Sequence, residues 1–240
     1  MPPYIQWREF LADQDHRGLL ERVLANVEKF RPAKVIGDDP NHRGKVDPQI
    51  RVALTNRDLG EWSTPLDGFM RAVAPRLEMD FGVRLDETSI ELELAAHGDG
   101  AHYMPHMDIA VGEGRMTAGA KPGEDRVLSA VYYFFREPKV FTGGALRLFR
   151  TDVRSSAMPV RADDYVDIEP VQNSLIVFPP WIMHSVRPVT VPGGSFADYR
   201  FALNCWFCRK LDASRPGKST RRYSHSSPSP AVAQRPQHSS

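Results

Sequence analysis

The spacing of apolar residues separates a helical part of the chain from a β part. Over residues 8–30, apolar side chains recur at intervals of three and four with charged residues between them, which predicts one or two amphipathic helices. This pattern ends at Arg31-Pro32, because the residue before a proline is disfavoured in the α conformation. A second helix is predicted over residues 65–79, where Pro65 suits the first helical position. Its apolar stripe comprises Leu66, Phe69, Met70, Val73 and Leu77.

From residue 88 the apolar period changes to two. Ile90, Leu92 and Leu94 alternate with Glu91 and Glu93, a pattern typical of a strand with one buried face. Further strands are predicted at 127–135, 145–150, 164–168, 174–178, 184–191 and 199–208. Several short strands separated by glycine and proline turns, after a pair of helices, indicate a β-sandwich or jelly roll braced by helices.

The same patterns divide the chain into three regions. Residues 1–87 are predicted to form a helical and loop region that packs on the core, with a long loop at 34–58 that contains a short strand at Ile50–Leu54. Residues 88–211 are predicted to form the β core. Residues 212–240 are rich in serine, proline and arginine and have almost no large apolar side chains, so we expect a disordered tail.

Length and charge narrow the classes of function. A chain of 240 residues is long enough for one sizeable core. The formal net charge of +1 does not indicate the strongly basic surface that binds nucleic acid or an anionic membrane. No apolar run reaches the length of a membrane-spanning helix, and the first residues do not begin a signal peptide. We therefore expect a cytoplasmic protein without nucleic-acid or membrane partners, while its oligomeric state stays open.

The two cysteines, Cys205 and Cys208, form a single CxxC motif. Such a motif is compatible with half of a zinc site or with a redox pair. On a strand, however, positions i and i+3 face opposite sides, and no second CxxC follows. We interpret both cysteines as reduced structural thiols.

His106 and Asp108 are the first candidates for chemistry. If this stretch is a strand, residues two apart project from one face, which places an imidazole beside a carboxylate. His184, after the apolar run 174–178, is a plausible third ligand. Two histidines and one carboxylate leave open positions on Fe(II), as oxygenase chemistry requires. Taken alone, an HxD pair is common and is weak evidence for a metal.

Further motifs surround these three residues in a fixed order. Tyr103 lies three residues before His106, and Tyr133 lies in the strand predicted at 127–135. The later motifs are Gly143-Gly144-Ala145-Leu146, Phe178-Pro179, His184-Ser185-Val186-Arg187-Pro188-Val189, and Arg200 with Trp206. Over roughly residues 88–208, this order closely resembles the iron(II)- and 2-oxoglutarate-dependent oxygenases of the prolyl 4-hydroxylase-like group. The resemblance implies a double-stranded β-helix (jelly roll, cupin-like) core with helices packed against one outer face.

The resemblance also implies a role for each matching residue. The residues that match the iron ligands are His106, Asp108 and His184. Arg200 matches the basic residue that pairs with the far carboxylate of 2-oxoglutarate, and a guanidinium suits that role because it stays charged and binds carboxylates bidentately. Tyr133 matches a tyrosine that hydrogen-bonds the same carboxylate, and Tyr103 matches an aromatic residue that lines the metal site. On one strand, Arg200, Asn204 and Trp206 would share a face.

Two features depart from the family pattern. The family often has a tyrosine nine or ten residues before the first ligand histidine, where this chain has His97 and Ala96. His97 is open to two readings, a substitute hydrogen-bond donor or a structural residue. The spacing from His184 to Arg200 is longer than is common, and residues 192–198 are predicted to form a longer hairpin loop. Arg187 is therefore a rival for the carboxylate, although we favour Arg200.

The activity implied by the resemblance is hydroxylation of an unactivated C–H bond, with succinate and CO2 as co-products. It requires Fe(II), 2-oxoglutarate as co-substrate and O2, with ascorbate as a candidate stimulant. The expected substrate is an amino-acid residue, proline first, in a peptide, a protein or as a free amino acid. Hydroxylation, desaturation or cyclisation of a natural-product small molecule is an alternative. A nucleic-acid demethylase and a non-catalytic cupin-like binding module are further alternatives.

The sequence offers only weak indications of the substrate pocket. The segments 34–58 and 109–125 are candidate lids, because loops beside a rigid scaffold often carry specificity. Arg115 and Arg147 could each meet an acidic group of a substrate, or could be solvated surface residues.

Overall fold

The computed structural model of the protein describes residues 1–35, 44–109, 124–152, 160–210 and 231–233. Its α-helices are α1 (Asp13–Leu24) and α2 (Ser63–Phe81). Short 3-10 turns occupy Val27–Lys29, Gly60–Trp62 and Phe196–Asp198. The strands are β1 (Ile5–Arg8), β2 (Arg31–Pro32), β3 (Arg51–Val52), β4 (Leu54–Asn56), β5 (Ser89–His97), β6 (His102–His106), β7 (Glu124–Phe134), β8 (Thr142–Gly143), β9 (Leu146–Asp152), β10 (Val160–Ile168), β11 (Ser174–Phe178), β12 (His184–Val186), β13 (Val189–Thr190), β14 (Arg200–Lys210) and β15 (Ala231–Ala233).

The strands form two main sheets. The larger sheet has the order β15-β1-β11-β7-β14-β5-β4-β2, and the smaller has the order β10-β9-β12-β6-β3. Strands β8 and β13 pair separately. All pairings in the larger sheet are antiparallel except that of β1 with β15. The predicted mainly β jelly-roll core braced by N-terminal helices is confirmed.

The central strands of the larger sheet have one face toward the helices and one toward the smaller sheet. Side chains at alternate positions of β7, β11 and β14 join the helices in one apolar cluster, which includes Tyr132, Phe134, Leu175, Val177, Leu203, Phe207, Leu19, Leu66 and Met70. The intervening positions pack against the smaller sheet in a second cluster, which includes Tyr133, Ile176, Phe178, Ala202, Leu146 and Leu148. The predicted packing of the helices on one outer face is therefore confirmed.

Helix α2 buries most of the predicted apolar stripe, but it begins at Ser63, so Pro65 is its third residue and not its first. It buries Leu66, Met70, Val73 and Leu77, which lie along one side of the helix. Helix α1 is shorter than the predicted pattern over 8–30, and it buries Leu19 and Val23. Among the residues described, neither α-helix combines the length and the apolar character needed to cross a lipid bilayer.

The N-terminal region contributes strands as well as helices. The helical interpretation of residues 8–30 is wrong at its start, because Arg8 ends β1, which pairs with β11 in the larger sheet. The short strand expected at Ile50–Leu54 is present as β3 and β4, which pair with β6 and β5 respectively. Residues 1–87 thus also add edge strands to both sheets. Of the predicted tail, only the three residues of β15 lie within the described ranges.

The predicted strand at 184–191 is divided into β12 and β13 at Arg187-Pro188. Residues 192–198 are not a hairpin loop, because β13 pairs with β8 whereas β14 pairs with β5 and β7. This connection carries a 3-10 turn, in which the Phe196 ring packs 5.1 Å from that of Phe30. The longer spacing before Arg200 therefore serves a crossover between sheets.

Both cysteines lie on β14 as free, buried thiols, in agreement with their interpretation as structural residues. Burial raises the pKa of both, that of Cys208 to about 12. Neither thiol is therefore ionised at neutral pH, and neither has the reactivity of a thiolate.

Asn173 ties the N-terminal segment to the core just before β11. Its backbone has a φ of 53°, in the left-handed region. Its side-chain oxygen accepts hydrogen bonds from the Leu11 N–H and the Tyr132 hydroxyl, both at 2.9 Å, while its side-chain nitrogen donates to the Leu11 oxygen at 2.9 Å. The Tyr132 hydroxyl uses its one proton toward Asn173. The Nδ1 atom of His16, 2.7 Å from the Tyr132 hydroxyl oxygen, therefore donates to that oxygen. One buried amide therefore joins the segment just before α1 to β7.

Two substitutions of Asn173 separate the contribution of its side-chain hydrogen bonds to stability from that of its left-handed backbone. Asn173→Gly keeps the backbone freedom but loses three hydrogen bonds, so we expect the free energy of unfolding to fall by about 2–4 kcal/mol. Asn173→Ala should lose roughly 1 kcal/mol more, because alanine is strained at positive φ. Urea unfolding of the three proteins measures both differences. Equal stability of wild type and Asn173→Gly would contradict the anchoring role.

Candidate metal centre

Three predicted ligands converge where the two sheets meet. His106 is the last residue of β6 and lies directly opposite His184, the first residue of β12. Asp108 is not on the strand, because β6 ends at His106; its backbone N–H instead donates to the Pro180 oxygen at 2.9 Å. One ligand atom from each of the three side chains lies within 4.8 Å of the others. This spacing suits a single metal ion bound on one face.

Backbone contacts fix the orientation of both histidines. The Nδ1 atom of His106 lies 2.9 Å from the Met104 oxygen, and that of His184 lies 2.8 Å from the Ile182 oxygen. A carbonyl only accepts, so Nδ1 carries the proton in each ring and Nε2 presents its lone pair. Burial lowers the pKa of His106 to about 3, with a further contribution from His184. The His106 ring is therefore neutral at physiological pH, as a metal-binding histidine must be.

Asp108 is held as a carboxylate by two donors from the larger sheet. The Ser129 hydroxyl donates to its Oδ2 at 2.6 Å, and the Trp206 indole N–H donates to the same oxygen at 2.9 Å. Ser129 and Trp206 are directly opposite each other on β7 and β14. Burial acts to raise the pKa of Asp108, but the charge of Arg126 and the hydrogen bond from Ser129 act against burial, and the pKa is lowered. Oδ1 lies 3.9 Å from Nε2 of His106, and Oδ2 lies 3.7 Å from Nε2 of His184, so both oxygens face the candidate ligand atoms.

A network of ion pairs extends behind Asp108. The Arg126 guanidinium lies 3.9 Å from the centre of the Trp206 ring and pairs with Glu91 at 3.0 Å. Arg57 pairs with Glu91 at 2.6 Å and with Glu93 at 2.9 Å. These contacts hold the indole that hydrogen-bonds the carboxylate. They also pair charges that would be costly to bury singly.

A β-bulge places Tyr103 beside the metal ligands. His106 is opposite His184 and Tyr103 is opposite Val186, so two residues of β6 face the single residue Ser185 of β12. Positions three apart would lie on opposite faces of a regular strand, but here the Tyr103 and His106 rings stack with centres 3.5 Å apart. Arg51 on β3 covers the Tyr103 ring at 4.9 Å. The bulge therefore builds one wall of the site.

Arg200, the first residue of β14, has an unusual environment. Its relative exposure is 1%, and it makes no ion pair with any described residue. Its guanidinium lies 4.5 Å from the centre of the Tyr133 ring, and its Nη1 is 3.0 Å from Nδ1 of His97. Within the described ranges, the Arg200 Nε and the Tyr133 hydroxyl have no hydrogen-bond partner. A buried cation beside an unpaired hydroxyl fits a carboxylate ligand.

Gly144 explains how the arginine fits. A Cβ at this position would lie 2.7 Å from Cδ of Arg200 and 2.9 Å from a methyl group of Val189. Gly144 also has a φ of 72°, which disfavours other residues. The Gly-Gly motif thus leaves room for the arginine stem.

Other residues considered from the sequence lie elsewhere. Arg187 is exposed, which favours Arg200 as the site arginine. Arg147 pairs with both oxygens of Asp167 at 2.7 Å and stacks on Tyr165, on the side of the smaller sheet away from His184. Arg115 and most of segment 109–125 lie outside the described residues. Part of segment 34–58 is described, and it places Arg51 beside Tyr103.

Sequence reasoning missed Ser129 and Arg126 and did not place Trp206 beside Asp108. Ser129 could have been found, since it is a polar residue at an inward position, two and four residues before the inward Val131 and Tyr133. Arg126 could not, because its contact with Trp206 depends on the register of β7 with β14. Arg200, Asn204 and Trp206 do share a face, as expected.

Comparison with known proteins agrees with this geometry. The sequence profile of the 2OG-Fe(II) oxygenase superfamily matches residues 92–208. An uncharacterized PKHD-type hydroxylase from Synechocystis sp. is 37% identical over 211 residues, which cover 87% of this chain and 64% of the relative. The chain thus spans slightly less than two thirds of the length of that curated relative.

Two solved structures share the fold. A prolyl-4-hydroxylase from Pseudomonas putida superimposes with a TM-score of 0.57 at 24% identity, over 88% of this chain and 94% of that one. A prolyl hydroxylase from Trichoplax adhaerens, in complex with a hypoxia inducible factor peptide fragment, gives a TM-score of 0.56 at 17% identity, over 86% and 84%. At these identities the likeness shows the fold alone.

The hydrogen bond from Ser129 predicts a measurable effect on metal binding. Ser129→Ala removes one of two donors that orient Asp108, so we expect the affinity for a divalent metal to fall about 10–100-fold. Ser185→Ala is the matched control, since Ser185 is also buried but is next to His184 on the opposite face. Equilibrium titration with Fe(II) or Mn(II) measures both. Equal losses in the two variants would contradict the role of Ser129.

Proposed function

We propose that this chain is a 2OG-Fe(II) oxygenase that hydroxylates an unactivated C–H bond of an amino-acid residue, with proline in a peptide or protein as the first candidate. The observation that carries this proposal is the complete triad of His106, Asp108 and His184. Two neutral imidazoles and one carboxylate around a single point would leave open positions on Fe(II), as oxygenase chemistry requires. The co-products would be succinate and CO2.

The triad residues would hold Fe(II) through two Nε2 atoms and one oxygen of Asp108. Bound Fe(II), with 2-oxoglutarate and O2, supplies the oxidising power for breaking the C–H bond. The chain contributes orientation and charge. Ser129 and Trp206 keep the Asp108 carboxylate in place.

Arg200 and Tyr133 would bind the far carboxylate of 2-oxoglutarate. This role is supported by the buried charge of Arg200, which lacks a counter-ion within the described part of the chain, and by the unpaired Tyr133 hydroxyl. Burial acts to lower the pKa of Arg200, so the site gains from any bound anion. Tyr103 would line the metal side of the same space, stacked on His106.

The substrate would enter beside β3 and β6. Arg51 and the stacked Tyr103 form a wall there, and Met104 and Ile50 are large apolar residues exposed next to it. The Met104 N–H donates to the Ile50 oxygen at 2.8 Å, so these residues lie together. Apolar side chains beside a polar site suit a peptide better than a small charged metabolite. Free amino acids and other small molecules remain the second class to test.

Turnover tests the proposal directly. We expect the Fe(II)-loaded protein to form succinate from 2-oxoglutarate and O2, with a rate that rises when the correct substrate is added from a panel of prolyl peptides and free amino acids. His106→Ala should abolish succinate formation, because it removes a metal ligand. Arg200→Ala should raise the KM for 2-oxoglutarate at least tenfold, whereas the exposed Arg187→Ala should not. If Arg187→Ala raised this KM and Arg200→Ala did not, the assignment of Arg200 to the far carboxylate would be overturned.

The close approach of Gly144 to Arg200 gives an independent test. Gly144→Ala should displace the arginine stem and weaken its hydrogen bonds to the co-substrate. Loss of one hydrogen bond to a charged group would raise the KM for 2-oxoglutarate about tenfold or more. Gly193→Ala is the control, since Gly193 also has a positive φ, of 65°, but a Cβ there would meet open space. Steady-state kinetics of both variants supply the comparison. A similar KM in the two would show that Gly144 does not shape the arginine site.

A further inference from the structure

His97 and Arg200 form a buried pair at the end of the larger sheet. His97 is the last residue of β5, Arg200 is the first residue of β14, and the two are directly opposite in the strand register. Both are buried, and Nη1 of Arg200 lies 3.0 Å from Nδ1 of His97. This contact was not predicted from the sequence.

The chemistry of the two groups fixes the direction of the hydrogen bond. A guanidinium has five N–H donors and no acceptor, so Nδ1 of His97 must accept and cannot carry the proton. The ring is therefore neutral, with its proton on Nε2. The pKa of His97 is held well below its usual range by burial and by the nearby charges of Arg200 and Arg51, in keeping with a neutral ring. His97 is thus an acceptor toward Arg200.

The remaining contacts of Arg200 show what this hydrogen bond does. Tyr133 lies against one side of the guanidinium, and Gly144 packs against the arginine stem. The guanidinium has a well-formed hydrogen bond to His97 and a weaker polar contact with the Tyr133 hydroxyl. The hydrogen bond to His97 is directional, so it fixes the rotation of the guanidinium, which contact with a ring face or a glycine does not.

We propose that His97 is a positioning residue for the co-substrate: it accepts a hydrogen bond from Arg200 and thereby holds the guanidinium in the orientation that binds the far carboxylate of 2-oxoglutarate. This inference rests on the proposed function of the site. The sequence left His97 open as either a substitute hydrogen-bond donor or a structural residue. In this proposal His97 instead acts through Arg200.

Binding measurements test this without turnover. The full chain, loaded with Mn(II), is titrated calorimetrically with 2-oxoglutarate and with 2-oxobutyrate, a 2-oxo acid that lacks the far carboxylate. His97→Leu and His97→Phe remove the acceptor with two different shapes, so that one remains available if the other does not fold. His97→Gln retains an acceptor oxygen and serves as the conservative variant.

We expect His97→Leu and His97→Phe to bind 2-oxoglutarate about tenfold more weakly, with unchanged affinity for 2-oxobutyrate and for Mn(II). His97→Gln should stay within about threefold of the wild-type affinity. An equal loss for both acids would show that His97 is only a packing residue, and an unchanged affinity for 2-oxoglutarate would also overturn the inference. If the wild-type protein bound Mn(II) but not 2-oxoglutarate, the proposed function would fail instead.

Discussion

The two-residue period of β7, β11 and β14 is the constraint on which the site depends. Their outward side chains are large and apolar and are buried by the helices, each contributing roughly 1.5–3 kcal/mol. This burial fixes the strands in register, because a slip of one residue would turn every apolar side chain away from the helices. The inward positions are then free to be polar. Tyr133, Ser129, Arg200 and Trp206 occupy those positions.

The site treats its two buried charges differently. Asp108 receives two hydrogen bonds from directly opposed residues of β7 and β14, so its carboxylate is held ready for a cation. Arg200 instead has a neutral imidazole, an aromatic ring and a glycine around it, and no carboxylate among the described residues. A buried charge without a counter-ion is costly for folding. This arrangement is physically reasonable if a bound anion completes the site.

Much of this architecture could be predicted from local patterns in the sequence. The strand alternation, helix α2 and the order of motifs around His106 depend on neighbouring residues and were readable. The start of the helical region was misread, because β1 forms through pairing with the distant β11. The bulge that brings Tyr103 to His106, and the position of Asp108 beyond β6, depend on pairing between distant segments. The resemblance to a family supplied the roles that spacing alone left open.

The most direct test of the account is the visible absorption of the anaerobic protein as Fe(II) and then 2-oxoglutarate are added. Chelation of Fe(II) by a 2-oxo acid produces a charge-transfer band. The account predicts a band that saturates at one 2-oxoglutarate per bound iron and is absent in His184→Ala. No band in the iron-loaded wild type, or a band that persists in His184→Ala, would contradict the assignment of this cluster as the iron and 2-oxoglutarate site.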